Sequence, residues 1–310
     1  MNRIRFWILA GLFFVSISIG LVSLVRPSGK GLKSYFSAAG GKGIAVLEIF
    51  APIYLEGGGG PFGSGSGVRN WIEIVERAAT DPEVAGLLIR INSPGGTVGA
   101  SQELFEALKR FRKKEKKIVV SVVDLCASGA YYISLPADKI VANPGSLIGS
   151  IGVIISSPEF SELLGKLGIR FNTLKSGEFK DILSPSRQMS EAERASLQAI
   201  VDVMYRQFLG EVISWRVPKS KNPEVETLIR GRADGRVLSA EEALRVGLID
   251  SIGDGEKAKK ELALLCGIPA EKVWVKRYSK GFLGDMVSGL SMFNLKNPAD
   301  SRVEYRFPGF

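Results

Sequence analysis

The stretch Lys117-Ile-Val-Val-Ser-Val-Val-Asp-Leu-Cys-Ala-Ser-Gly-Ala-Tyr-Tyr-Ile-Ser-Leu-Pro136 decides how the rest of the chain is read. Its first seven residues are apolar and rich in β-branched side chains, which predicts a buried strand. From Ala130 the apolar residues continue without alternation, which predicts a buried helix. The small residues Ala127, Ser128, Gly129 and Ala130 mark the turn between the two. A serine where a strand ends and a helix begins presents its hydroxyl at a mouth of the sheet. The first free amides of the helix point nearby. That geometry suits a nucleophile beside an oxyanion pocket.

A serine hydroxyl needs a base at neutral pH. The chain contains no histidine. A Ser-His-Asp triad and any histidine-ligated metal site are thereby excluded. The remaining common activator is a lysine kept neutral by burial. Lys180, in Lys175-Ser-Gly-Glu-Phe-Lys-Asp-Ile-Leu-Ser-Pro185, is the best candidate. It follows a strand-like run from Ile169 to Leu174, and apolar Phe179, Ile182 and Leu183 surround it as a desolvated amine requires.

Five ordered stretches resemble the signal peptide peptidase A family in its short, membrane-anchored form. They are Asn92-Ser-Pro-Gly-Gly-Thr97, Ala127-Ser-Gly-Ala-Tyr-Tyr-Ile-Ser134, Gly149-Ser-Ile-Gly-Val153, Ser176-Gly-Glu-Phe-Lys-Asp-Ile-Leu-Ser-Pro185 and the run from Gly235 to Gly253. The resemblance implies a serine protease with a Ser128–Lys180 dyad. It implies an α/β fold of stacked parallel βαβ units, shared with Clp protease and crotonase. It also implies an oxyanion hole from the backbone amides of Gly95 and Gly129, and a hydrogen bond from Ser150 to the lysine. No metal, nucleotide or organic cofactor is expected. The implied substrates are remnant signal peptides left in the membrane. The implied assembly is a ring-shaped homo-oligomer, an octamer, whose neighbouring subunits can share one site.

The 310 residues carry a net charge of +9, and 45% of them are hydrophobic. The basic charges are scattered, which favours an anionic membrane surface over nucleic acid as the partner. Residues 1–5 are basic. Residues 6–25 carry no charge and are long enough to span a bilayer core of about 30 Å. They are read as a transmembrane anchor rather than a cleaved signal peptide. The flanking charges do not orient this segment. The resemblance places the catalytic domain outside the cytoplasm, on a single-pass protein of the cell membrane.

Residues 26–42 read as a linker, residues 43–276 as the peptidase domain and residues 277–310 as a weakly amphipathic tail. The glycine-rich stretch from Glu56 to Gly67 is read as a loop, because no Gly-Lys-Ser/Thr follows it to hold phosphate. Helices are expected over residues 68–79, 97–112 and 157–167. A further long one should start at the capping-box pattern Ser190-Glu-Ala-Glu193. It is apolar enough to contact a neighbouring subunit. Cys126 and Cys266 are expected to be buried thiols.

Two other classes compete. A crotonase-like acyl-CoA-binding protein would use the glycine turn on a thioester carbonyl and would not need Ser128 or Lys180. An inactive membrane scaffold would not need the dyad. Cys126 as nucleophile is disfavoured by its place in the strand, facing the core.

Overall fold

A computed structural model describes residues 42–56 and 67–278, together with the backbone of residues 303–306. The expected anchor at 6–25, the glycine-rich loop and most of the linker and tail lie outside the described residues. Among the described residues, no helix is long and apolar enough to cross a membrane.

The first half of the domain alternates strand and helix. Strand β1 (Gly43–Ile49) leads to helix α1 (Val68–Thr80) and strand β2 (Val84–Ser93). A short strand β3 (Gly95–Thr97) runs into helix α2 (Val98–Arg112), and β4 (Lys117–Ala127) into the one-turn helix α3 (Gly129–Ser134). Strands β5 (Lys139–Ala142), β6 (Leu147–Gly149) and β7 (Ile154–Ile155) come after it. Next come α4 (Ser161–Lys166), a 3-10 turn at Glu178–Asp181 and the long helix α5 (Glu191–Arg216). The chain then forms α6 (Val225–Arg230), β8 (Val237–Ser239), α7 (Ala240–Arg245), β9 (Ser251–Ile252), α8 (Gly255–Leu265) and β10 (Val275–Lys276). The last described element is β11 (Val303–Arg306).

The main sheet has the order β10-β1-β2-β4-β5-β9 and is parallel along that path, as expected of βαβ units. Alternating side chains feed a core on each face, the second one smaller and open at the Arg90–Glu48 ion pair. Ala45, Leu47 and Ile49 of β1 join Leu87, Ile89 and Ile91 of β2 and Ile118, Val120 and Val122 of β4 in the larger core, which includes residues of α1, α2 and α3. Ile44, Val46, Leu88 and Val119 point the other way, against Ala258 and Leu262 of α8.

Strand β4 changes partner along its length. Its first half pairs with β5, through Val119–Val122, and its last three residues pair with β6. Its register against β2 jumps between Ile91, opposite Val122, and Ser93, opposite Cys126. Such a bulge bends a strand and re-aims the residues beyond it. The residue just beyond the end of β4 is Ser128.

Helix α5 begins at the predicted capping box: Ser190 Oγ accepts from Glu193 N and Glu193 accepts from Ser190 N. Three expectations need correction. The helix expected over 157–167 forms only over Ser161–Lys166. Cys266 is half-buried rather than buried. The run from Ile169 to Leu174 forms no strand and is exposed throughout. An extended segment becomes a strand only where an edge offers it backbone partners, and none of the described edges reaches this one.

Candidate active site

Ser128 sits at the end of β4 with φ +54° and ψ −121°. This conformation costs a non-glycine residue about 1–3 kcal/mol, and such strain gathers where function needs it. It is held by the tight chain reversal into α3 and by a hydrogen bond from Ser128 N to Gly149 O at 2.7 Å. The Ser128 side chain is fully buried, and its Oγ has no hydrogen-bond partner. An orphan buried hydroxyl costs roughly 1–3 kcal/mol. Ser101 Oγ in α2 is also buried and unpartnered, so it is the strained backbone at a strand–helix turn that sets Ser128 apart.

The glycine turn lies alongside. Strands β2 and β4 are parallel neighbours, so Gly95 and Ser128 emerge at the same, C-terminal edge of the sheet. Gly95 has φ +96°, a conformation that suits glycine. Its amide donates to Ser93 Oγ at 3.2 Å, and Ser93 Oγ donates onward to Ala51 O at 2.8 Å. Oxyanion duty at Gly95 therefore requires this contact to be shared or opened. A Cβ on the next residue, Gly96, would lie 2.0 Å from the Ile53 carbonyl oxygen, so only glycine fits there. Sequence reasoning passes over Ser93, although it lies inside the Asn92–Thr97 motif. Its signal is a small hydroxyl two residues before a turn amide.

Gly129 opens α3, where the first amides are free of helix partners. Ser150 is buried with φ +49°, and its amide donates to Arg236 O at 2.9 Å. Gly149 O holds Ser128 N, so the Gly149-Ser150 turn borders the serine. The structure thus brings together Ser128, Gly129, Gly95 and Ser150.

It does not bring Lys180 to them. Lys180 lies on the exposed Glu178–Asp181 turn and makes no hydrogen bond to Ser128 Oγ. The apolar surroundings expected of it are partly open as well, with Phe179 43% exposed. The burial of the amine expected from the sequence is therefore absent within one chain.

Another lysine is exposed as a residue, like Lys180, but is desolvated at its ammonium. Burial pushes the Lys219 ammonium down to about 8. Its Nζ, however, donates to Ala137 O, just ahead of β5. Because β5 runs parallel to β4, that is the opposite edge of the sheet from Ser128. Cys126 is fully buried, and burial pushes its thiol up to about 12, which leaves no thiolate for nucleophilic attack. Among the described residues no cluster of metal-ligating side chains occurs.

One more element meets this edge. Strand β11 runs antiparallel to β3, with Arg306 opposite Gly95, Tyr305 opposite Gly96 and Glu304 opposite Thr97. On its other side it pairs with β7. An extended chain segment therefore lies along the glycine strand next to α3.

Comparison with known proteins finds a peptidase family and relatives named as proteases. Residues 110–268 match the description Peptidase family S49. A Synechocystis protein named "Putative protease" is 39% identical over 77% of this chain and 79% of its own length. An Enterococcus faecium protein named "Putative signal peptide peptidase SppA" is 36% identical over 63% of this chain and 55% of its own. The Arabidopsis thaliana "Serine protease SPPA, chloroplastic" is 30% identical over 71% of this chain and 32% of its own longer one. The matched residues include Ser128, its strand–helix turn and the Lys180 segment, and on these grounds the chain belongs to peptidase family S49, as a signal peptide peptidase A-like protein.

Proposed function

We propose that this S49 peptidase is a membrane-anchored serine endopeptidase that degrades remnant signal peptides, with Ser128 as nucleophile and Lys180 as general base. The observation that carries the reading is Ser128 itself: strained, buried and unpartnered at a helix start. The chain's own Val303–Arg306 lies extended along Gly95–Thr97, in the form a peptide substrate takes when it adds a strand to an edge.

The reaction needs few parts. As Ser128 Oγ attacks the peptide carbonyl carbon, its proton passes to the neutral Lys180 amine. The amide of Gly129, with one from the Gly95–Gly96 strand, holds the developing oxyanion. The C–N bond then breaks, and the leaving amine takes the proton from Lys180. Lys180 next takes a proton from water, whose oxygen attacks the ester. Collapse frees the acid product and returns the proton to Ser128.

Lys180 must reach a serine hydroxyl and lose its water to do this. We place it at a subunit interface in a homo-oligomer. Support comes from the segment around it, where Phe160, Leu163, Leu167, Phe171, Leu174 and Phe179 are between 43% and 101% exposed. Apolar surface on this scale seeks cover. A ring places the catalytic domains side by side on one membrane face, with the anchor at residues 6–25 holding them near peptides left in the bilayer.

The test is labelling of the full-length protein in membranes with a fluorophosphonate probe. Wild type should label on Ser128, and Ser128→Ala should not. Lys180→Ala should label far more slowly. Equal labelling of Ser128→Ala would overturn the assignment of the nucleophile. Tight binding of an acyl-CoA, with no cleavage of an apolar peptide, would favour the crotonase-like class instead.

A further inference from the structure

The Glu178–Asp181 turn that carries Lys180 is fastened by one arginine. Arg187 Nε donates to Asp181 Oδ2 at 2.8 Å and Nη2 to Asp181 Oδ1 at 2.7 Å, a two-pronged grip on one carboxylate. The other side of the same guanidinium donates to both oxygens of Glu193, with Nη1 to Oε2 at 2.9 Å. Nη1 also reaches Gln188 O at 3.0 Å. Glu193 is the capping-box residue of α5, and its side chain is only 3% exposed. The turn is therefore tied through Arg187 to the one buried side chain in the otherwise exposed first turns of the long helix. From the other direction, Lys175 Nζ donates to Asp181 Oδ1 at 2.7 Å and to Glu178 O at 2.8 Å.

Asp181 is the residue directly after Lys180, and its charge matters to a base. A free carboxylate beside an amine favours the ammonium and so opposes proton acceptance. Here two cations occupy that carboxylate. Hydrogen bonds from Arg187 and then Lys175 hold it well below the usual carboxylate range. The charged groups on and beside the turn are Lys175, Glu178 and Asp181, with Arg187 just ahead of α5 and Glu193 in its first turn. Lys175 with Asp181, and Arg187 with Glu193, balance in charge.

We infer that Arg187 is a positioning residue for the base: it fixes the Lys180 turn to α5 and occupies the neighbouring Asp181 carboxylate, whose free charge would favour the Lys180 ammonium. The inference rests on the reading of Lys180 as general base. The Arg187 guanidinium uses donors on both edges, a geometry that a lysine cannot copy.

The experiment is kcat/KM against pH for the full-length chain, on an apolar peptide. The variants are Arg187→Met, Arg187→Met with Asp181→Asn, Asp181→Asn alone, Arg187→Lys and Lys180→Ala. In Arg187→Met the rising limb should move to higher pH by about one unit, a roughly tenfold loss on its acid side. Adding Asp181→Asn should bring the limb back. Asp181→Asn alone should move it to lower pH, and this variant carries the test if Arg187→Met does not fold. Arg187→Lys should lower kcat with a smaller shift of the limb. A uniform loss at every pH, with the limb unmoved in Arg187→Met and in Asp181→Asn, would overturn the inference and leave Arg187 a structural brace. Lys180→Ala separates the two claims. If it is active, the base assignment itself falls. If it is inactive while the limbs stay put, only the role of Arg187 falls.

Discussion

Ser128 closes an eleven-residue strand whose neighbours are buried on both faces, whereas no residue from 154 to 192 is buried. The first region is determined many times over: by β2, β5 and β6 on its edges and by helices on its faces. That redundancy is what holds a serine at φ +54° with an unpartnered hydroxyl. The second region is held by local ion pairs and a capping box. It leaves Leu174 wholly exposed. The proposed nucleophile is thus held by the core of one chain. The proposed base sits on a segment that one chain leaves open.

The largest expected effect lies on the chemistry that joins the two regions. Ser128→Ala and Lys180→Ala should each lower kcat by roughly four orders of magnitude or more, and the double variant should be no worse than either. Ser128→Ala should keep or raise the melting temperature, because it removes an orphan polar group. A folded Ser128→Ala enzyme at wild-type rate would end the comparison at once.

Stability should divide along the same line. Leu87, fully buried in β2, should cost about 2–5 kcal/mol when changed to alanine. Leu174→Ser should change the stability of a dissociated chain by less than about 0.5 kcal/mol. It should nevertheless weaken assembly, read by sedimentation, and lower activity in step. A loss in Leu174→Ser as large as in Leu87→Ala, measured by denaturant unfolding of the dissociated chain, would mean that the segment belongs to the core.

The smallest effect concerns acid. Hydrogen bonds from Arg187 and from the Ser190 amide lower the Glu193 carboxyl to about 2. Its folded value is thus below its unfolded one. The contribution is therefore fully present above about pH 4.3, the usual carboxylate value. It is lost as pH falls toward 2. Hydrogen exchange at the start of α5 should speed up across that window in wild type. In Glu193→Gln it should already be fast at neutral pH and change little. Exchange that rises equally in both proteins would place the acid sensitivity elsewhere.

Much of the first region was legible in the sequence. The β-branched run, the small-residue turn and the apolar run after it are local patterns, and they located β4, Ser128 and α3. The absence of histidine excluded a triad before any coordinates, and Ser190-Glu-Ala-Glu193 marked the start of α5 to the residue. Less of the second region was legible. Apolar residues around Lys180 suggested burial, but a short apolar run does not say whether its own chain will cover it.

Sequence alone located most of the elements of the central sheet and the family, because periodicity, caps and motifs act over a few residues. Tertiary structure decided the rest. The shift in register between β2 and β4 aims Ser128, and parallel pairing puts Gly95 on its edge of the sheet and Lys219 on the other. The pairing of Val303–Arg306 with Gly95–Thr97 joins residues about two hundred positions apart. Such contacts depend on which edges remain open once the core has formed, and no local pattern records that.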